Sequence, residues 1–326
     1  MNHKHHATVQ SCTYKLIDLF AGIGGIRAAF ENTGNFKTVL SSEIDRHARE
    51  TYKANFGDEP AGDIRKIIAK MFTEAAADVV VGGTPCQAFS QIGRRLGFDD
   101  VRGTLFYEFL RVVRAVAPKA FLMENVEALP SHDGGRTFET MLDLFDRTGY
   151  NVQWKVLDAR EFGLPQKRRR VFVVGIRKDI FTTFEFPKGN SKTARFGDIL
   201  EPKVAPKYLL SAKYRRGLEA RTARNAFKGN GFGMAIPDLD GAANTITVGG
   251  SGRERNLVRV GENGLRRLTP REFARLQGFP DSFVIPVSDT QAYKQFGNSV
   301  PVPVVQAIAT NLAMALANAS SLLMAA

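Results

Sequence analysis

Cysteine is nearly absent: Cys12 and Cys86 are the only two in 326 residues, so one bridge at most can form. That excludes a disulfide scaffold and fits a reducing compartment. Histidine is scarce as well, with five residues, three of them (His3, His5 and His6) crowded at the amino terminus. A tail-like segment is the ordinary reading of that crowd and a metal-holding cluster the rarer one; no metal is expected. The same segment lacks the apolar core of a signal peptide. No apolar run reaches spanning length, because Gln306, Thr310 and Asn311 interrupt Val302–Leu316. A cytoplasmic protein with no membrane partner is the expectation.

Acidic residues are also in short supply, 33 against 45 Lys and Arg, which leaves a net charge of +12. The deficit is local. Residues 1–187 carry 26 Lys and Arg against 23 Asp and Glu, whereas residues 188–268 carry 16 against 7. A localised basic excess is the footprint of a nucleic-acid surface; a solubilising surface is the alternative.

What is present alternates. Apolar stretches at Tyr14–Leu19, Thr38–Ser42, Ala77–Gly82, Ala120–Glu124, Val152–Leu157 and Arg170–Ile176 predict strands. Between them Ile26–Asn32, Arg46–Asn55, Leu105–Val116 and Arg136–Thr148 predict helices. The run ADVVVG lacks polar alternation, as a strand buried on both faces does. The expected fold is α/β, a doubly wound sheet. The expected divisions are residues 1–189 for that domain, 190–268 for a smaller, loop-rich, β-leaning one, and 269–326 for a hinge and a terminal helix. Thr269 as N-cap, Pro270 next and Gly278 beyond predict a short helix between them.

The chemistry clusters at predicted strand ends. After the first strand comes Asp18-Leu-Phe20-Ala21-Gly22-Ile-Gly24-Gly25, a strand-to-helix glycine turn that lets a ligand approach the backbone. Its spacing is not that of a dinucleotide fold. Glu43 ends the second strand, where an acid binds ribose hydroxyls, and Asp63 follows a third possible strand end. A packing turn and solvated carboxylates are the bland readings.

The strand Val79–Val81 runs into Gly82-Gly-Thr-Pro85-Cys86-Gln87-Ala-Phe-Ser90. A free cysteine is usually an apolar filler. Here Pro85 stiffens the approach and polar Gln87 and Ser90 flank the thiol. Beyond them Gln91–Gly103 mixes three glycines with Arg94, Arg95 and Arg102, which reads as a lid that closes over a phosphate backbone. Glu124 ends another strand. Arg168 and Arg170 share a face by period two if Arg170 opens its strand, while Arg169 points away, although a charge run is more often a solvated face.

Six blocks carry a resemblance. They are Asp18–Gly25 (DLFAGIGG), Gly83–Ser90 (GTPCQAFS), Glu124–Val126 (ENV), Gln166–Arg170 (QKRRR), Arg267–Gly278 (RLTPREFARLQG) and Gln295–Val300 (QFGNSV). In this order the chain resembles the bacterial cytosine-C5 DNA methyltransferases of restriction–modification systems. The resemblance implies the Rossmann-like fold of S-adenosylmethionine-dependent methyltransferases, with Lys192–Arg259 as the target-recognition region. Phe20, Ala21, Gly22, Gly24, Glu43, Ile44, Asp63, Ile64, Pro85, Asn298 and Ser299 would line the S-adenosylmethionine site. Some relatives place tryptophan where this chain has Ile44, so adenine contact would be aliphatic here. Cys86 would be the nucleophile, Glu124 would hold N3 and the exocyclic amine, Arg170 would bond O2, and Arg168 would support the substrate. Gln87 and Ser90 would fill the gap left by a flipped base; Arg94, Arg95 and Arg102 would contact DNA, and Arg253 and Arg255 would read bases. The implied partner is duplex DNA, met by a monomer, with a cognate restriction endonuclease acting separately. An RNA methyltransferase on this fold and a silent DNA-binding regulator are the rivals; the second should have lost Cys86, Glu124 or Arg170.

Overall fold

The computed structural model describes residues 13–84, 105–189, 194–229, 233–248, 252–262 and 264–325. Its first part follows the predicted alternation, with α3 and β6 as elements the sequence reading missed: β1 (Tyr14–Leu19), α1 (Gly25–Glu31), β2 (Phe36–Ser42), α2 (Arg46–Phe56), α3 (Ala69–Ala75), β3 (Val79–Gly83), α4 (Leu105–Val116), β4 (Ala120–Val126), α5 (Arg136–Arg147), β5 (Tyr150–Asp158), β6 (Gln166–Lys167) and β7 (Arg169–Arg177). Six of the strands form one sheet in the order β2-β1-β3-β4-β7-β5. The first four are parallel, and β7 runs antiparallel to both of its neighbours.

The unbroken apolar strands are explained by layers on both faces. Leu16, Val79, Val81 and Leu122 enter one core cluster, while Ile17, Val80, Phe121 and Met123 enter the other. Period two in the strand sends alternate side chains to opposite faces, so a strand buried twice has no polar position to offer. Helices α4 and α5 cover the second cluster with Phe106, Phe109, Phe138 and Phe145. Helix α1 and the last helix of the chain cover the first.

Asp63 follows no strand. It caps a short 3-10 turn, Ile64–Lys66, and only an isolated bridge, Ser42 to Ala61, links that stretch to the sheet.

The region after residue 190 is loop-rich as expected, but it does not lean to β. Its longest element is a helix, α6 (Ala212–Phe227), beside the short strands β8 (Ala243–Asn244), β9 (Val258–Val260) and β10 (Gly264–Arg266). The helix escaped pattern reading because only Leu218 along it is buried, so no apolar stripe marks it. Its small core joins Leu218, Leu257 and Leu265.

The chain ends with α7 (Pro270–Leu276), α8 (Asp289–Asn298) and α9 (Val302–Ala325). Helix α7 has the expected cap: Thr269 Oγ1 accepts from the Glu272 amide, and the Glu272 carboxylate accepts from the Thr269 amide at 2.8 Å. Helix α8 went unread in the sequence, and α9 extends beyond the apolar run Val302–Leu316. Contrary to the sequence reading, the run Asp289–Ala319 is long and apolar enough to pass as a membrane span, but 61% of its apolar 18-residue window is buried. Val304, Val305, Ile308 and Leu312 are fully enclosed in the core that covers α1.

Candidate active site

Parallel strands bring their carboxyl ends to one edge, and the antiparallel β7 brings its beginning there too. Register places Glu124 beside Gly83 of β3 and Phe172 of β7, and Val126 opposite Arg170. Arg170 Nε lies 3.2 Å from Glu124 Oε1. Glu124 is 9% exposed, and burial pushes its carboxyl above the ordinary range while the charges of Arg170 and Arg168 offset part of that rise. The result is an acid inclined to hold its proton, gripped by a guanidinium at the rim. Thr84, the last described residue before Cys86, is anchored at the same place. Asn125 Nδ2 donates to the Thr84 carbonyl at 2.7 Å and to its hydroxyl at 2.9 Å. Pro85, Cys86, Gln87, Ser90, Arg94, Arg95 and Arg102 lie outside the described residues.

The glycine turn sits at the neighbouring strand ends, where sheet order reverses between β1 and β3. Phe20, Gly22 and Gly24 all take positive φ, so the chain turns tightly out of β1. A Cβ on Gly22 would meet nothing within 4 Å, which leaves its backbone open to a ligand. A Cβ on Gly25 would lie 2.6 Å from Ser299 Oγ, so the carboxyl-terminal segment is seated directly on the turn. Glu43 Oε2 accepts from the Gly22 amide at 2.8 Å and Oε1 from the Asp45 amide at 2.7 Å. A carboxylate accepts about four hydrogen bonds, so sites remain for two vicinal hydroxyls. Ile44 beside it is 63% exposed and offers a bare apolar surface. Asn298 is exposed and Ser299 half-buried at the end of α8.

Two expected cofactor residues are arranged otherwise. Asp63 is engaged by Arg65 through both guanidinium and amide, and that bond holds its carboxyl below the usual range. The Ile64 side chain is 3% exposed and belongs to the core, so only its main chain can face a ligand.

Arg168 is a clear correction. It precedes β7 instead of sharing its face with Arg170, and it is 2% exposed. Its guanidinium donates to the carbonyls of Ile246 at 3.1 Å, Gly297 at 3.2 Å and Ser299 at 2.6 Å. It therefore ties the sheet to the loop-rich region and to the end of α8, and has no surface for a substrate. Gln166 does the same: its amide donates to the Leu276 carbonyl and accepts from the Ile246 amide.

An open cleft of about 610 Å³ adjoins the Glu124–Arg170 pair. Its lining includes Arg160, Lys167, Arg169, Arg170 and Thr245, none but Arg170 anticipated as a site residue. Arg169 pairs with Glu127 and Arg160 with Asp158, each at 2.6 Å. The signal available in the sequence was Arg169 itself, read as pointing away. Of the expected base readers, Arg253 lies over the Tyr293 ring at 5.5 Å and Arg255 is half-buried. Neither is laid out on an open face.

Known proteins share this chain's sequence and fold. The family description "C-5 cytosine-specific DNA methylase" matches residues 14–314. Among similar curated proteins, Type II methyltransferase M1.ScrFI of Lactococcus lactis subsp. cremoris is 50% identical over 93% of this chain and 79% of its own length. Type II methyltransferase M.HpaII of Haemophilus parainfluenzae is 47% identical over 94% and 90%. Among solved structures, a DNMT2 variant of Spodoptera frugiperda superposes with TM-score 0.74 at 20% identity, covering 90% of this chain and 98% of its own. That likeness shows the fold, and the sequence matches show the kinship. The chain belongs to the C-5 cytosine-specific DNA methylase family.

Proposed function

We propose that the protein is a DNA (cytosine-5)-methyltransferase that moves a methyl group from S-adenosylmethionine to C5 of a flipped-out cytosine in a short specific duplex site. The observation that carries this is the buried Glu124 carboxyl paired with Arg170 at the same sheet edge as the open glycine cradle.

The cradle fits the donor. Glu43 would take the ribose hydroxyls, exposed Ile44 the adenine face, the Gly22 backbone and Ser299 the amino-acid end. Phe20, Ala21, Gly24, the Ile64 main chain, Asp63, Pro85 and Asn298 would complete the wall. When bound, the donor supplies an electrophilic methyl group for C5.

The chain's own residues make C5 nucleophilic. Unaided, that carbon is too weak to take the methyl group. Addition of the Cys86 thiolate to C6 gives it enamine character. Glu124 protonates N3 and holds the exocyclic amine, which makes C6 accept attack, and Arg170 bonds O2. Loss of the C5 proton to solvent, elimination of the thiolate and return of the N3 proton to Glu124 restore the ring. A stacked base is out of reach, so the cytosine must swing out, at a cost of a few kcal/mol. Gln87 and Ser90 would occupy the gap, with Arg94, Arg95 and Arg102 on the backbone. In the open cleft Glu127 and Asp158 stand where phosphates would come, keeping Arg169 and Arg160 extended. Arg253 and Arg255 remain base-reading candidates. The divisions 1–189, 190–268 and 269–326 fit catalytic, recognition and returning segments. Type II relatives point to the modification half of a restriction–modification pair. In this reading the protein works as a monomer on duplex DNA in the cytoplasm, with its nuclease separate.

The test is covalent capture. Duplexes carrying 5-fluorocytosine, given the donor, should form a stable adduct with the wild-type protein and none with Cys86→Ser. An adduct that survives the substitution would remove Cys86 from the chemistry. Bisulfite mapping of a genome lacking the mark should then show one short methylated motif.

A further inference from the structure

Helix α6 is more than the core requires. It has sixteen residues and buries only Leu218. Half-buried Arg215, Thr222 and Asn225 share its inner side, where the Thr222 hydroxyl accepts from the Met234 amide at 2.9 Å. The outer side carries Lys213, Arg216, Gly217, Ala220, Ala223 and Arg224 at helical spacing, all exposed. Phe227, 92% exposed, ends the stripe, and Lys228 caps it. Between Ala212 and Lys228 the chain has six cations and one acid, Glu219, which pairs with Arg215 on the inner side.

A solvated helix is ordinarily laced with opposite charges three or four residues apart. Here Lys213 and Arg216, Arg221 and Arg224, and Arg224 and Lys228 stand at those spacings with like charge, which destabilises a free helix. The arrangement makes sense against a polyanion. Small residues at 217, 220 and 223 let the helix axis come close, and the cations flank them. Arg216 and Arg224 are eight residues apart, roughly 12 Å along the axis, a distance that reaches across neighbouring phosphates of one duplex strand.

We propose that the outer face of α6 grips the phosphate backbone of the duplex through Lys213, Arg216 and Arg224, independently of base sequence. The proposal rests on the protein acting on duplex DNA, and it adds a backbone clamp carried by the recognition region on a helix rather than a loop. Its chemistry needs point charges and no base-edge geometry.

The test is the salt dependence of duplex binding, followed by fluorescence anisotropy. Glutamine keeps helix propensity, so R216Q/R224Q should retain wild-type circular dichroism and melting. Removing one cation from a phosphate lowers the slope of log K against log salt by about one. R216Q/R224Q should therefore lower it by about two and weaken binding roughly tenfold at moderate salt. R216K/R224K keeps the charges and should restore both affinity and slope. An unchanged slope in folded R216Q/R224Q overturns the proposal. So does failure of the lysine variant to rescue, since that outcome assigns the arginines to bidentate base reading. If the wild-type protein itself binds no duplex and forms no 5-fluorocytosine adduct, the underlying function is at fault instead.

Discussion

Glu124 and Asp18 are both buried carboxyls, yet only Glu124 lies at the proposed substrate edge. In the proposed mechanism Glu124 meets the base protonated, and burial pushes its carboxyl in that direction. Activity should accordingly fall as pH rises through its elevated pKa, giving an alkaline limb. Glu124→Gln can donate a hydrogen bond but no proton. It should lose about 10²–10⁴-fold in kcat along with that limb, as steady-state pH profiles would show. Asp18 sits behind the glycine turn, fully enclosed, with no side-chain partner for either oxygen among the described residues and only a loose approach of the Arg27 amide. Desolvation raises its pKa to about 8, only partly offset by the charge of Arg27. The folded state therefore binds a proton that the unfolded state has released. Its stabilising share is complete below about pH 4 and is lost as pH climbs toward 8. Thermal melting of Asp18→Asn should be flatter than wild type across that window; an equal slope would place the pH dependence elsewhere. These two acids were visible in the sequence as strand-end residues. Their burial was not, since it depends on which strand becomes whose neighbour.

At the level of elements, the central strands of the first half were readable because double burial leaves a continuous apolar signature, whereas short α3 and β6 went unread. The same rule hid α6, whose single buried leucine gives no period. It also misplaced Arg168. Counting by twos presumes one continuous strand, but the chain passes from β6 into β7 at that residue, and the side chain turns inward to three carbonyls. Arg168→Ala should behave as a structural lesion. Stranding those carbonyls should cost about 3–5 kcal/mol, read as a lower urea midpoint. Arg170→Ala should instead lower turnover with little change in the midpoint. If Arg168→Ala unfolds at wild-type urea concentrations while losing turnover, the clamp reading fails.

For the whole molecule, charge is the organising quantity. The excess between residues 188 and 268 was plain from composition, and the structure adds a second basic wall in the cleft of Arg160, Lys167 and Arg169. Two such surfaces should make duplex affinity fall steeply with salt. A protein with six to ten phosphate contacts loses about 10³–10⁵-fold between 50 and 200 mM. Titration at graded ionic strength checks this, and a flat response would contradict both surfaces. Six short motifs made the family legible, whereas the cleft's ion pair between Glu127 and Arg169 joins distant parts of the chain and leaves no local trace.

The seating of Ser299 on Gly25 has a consequence for synthesis. The first strand and the glycine turn are synthesised long before the segment that seats on them, so the proposed donor pocket stays unwalled until residues 297–299 have been made. Arg168, too, waits for Gly297 and Ser299 to answer it. In the proposed reading, a nascent chain would hold Cys86 before it could retain a methyl donor, and methylation would wait until residues 297–299 had docked.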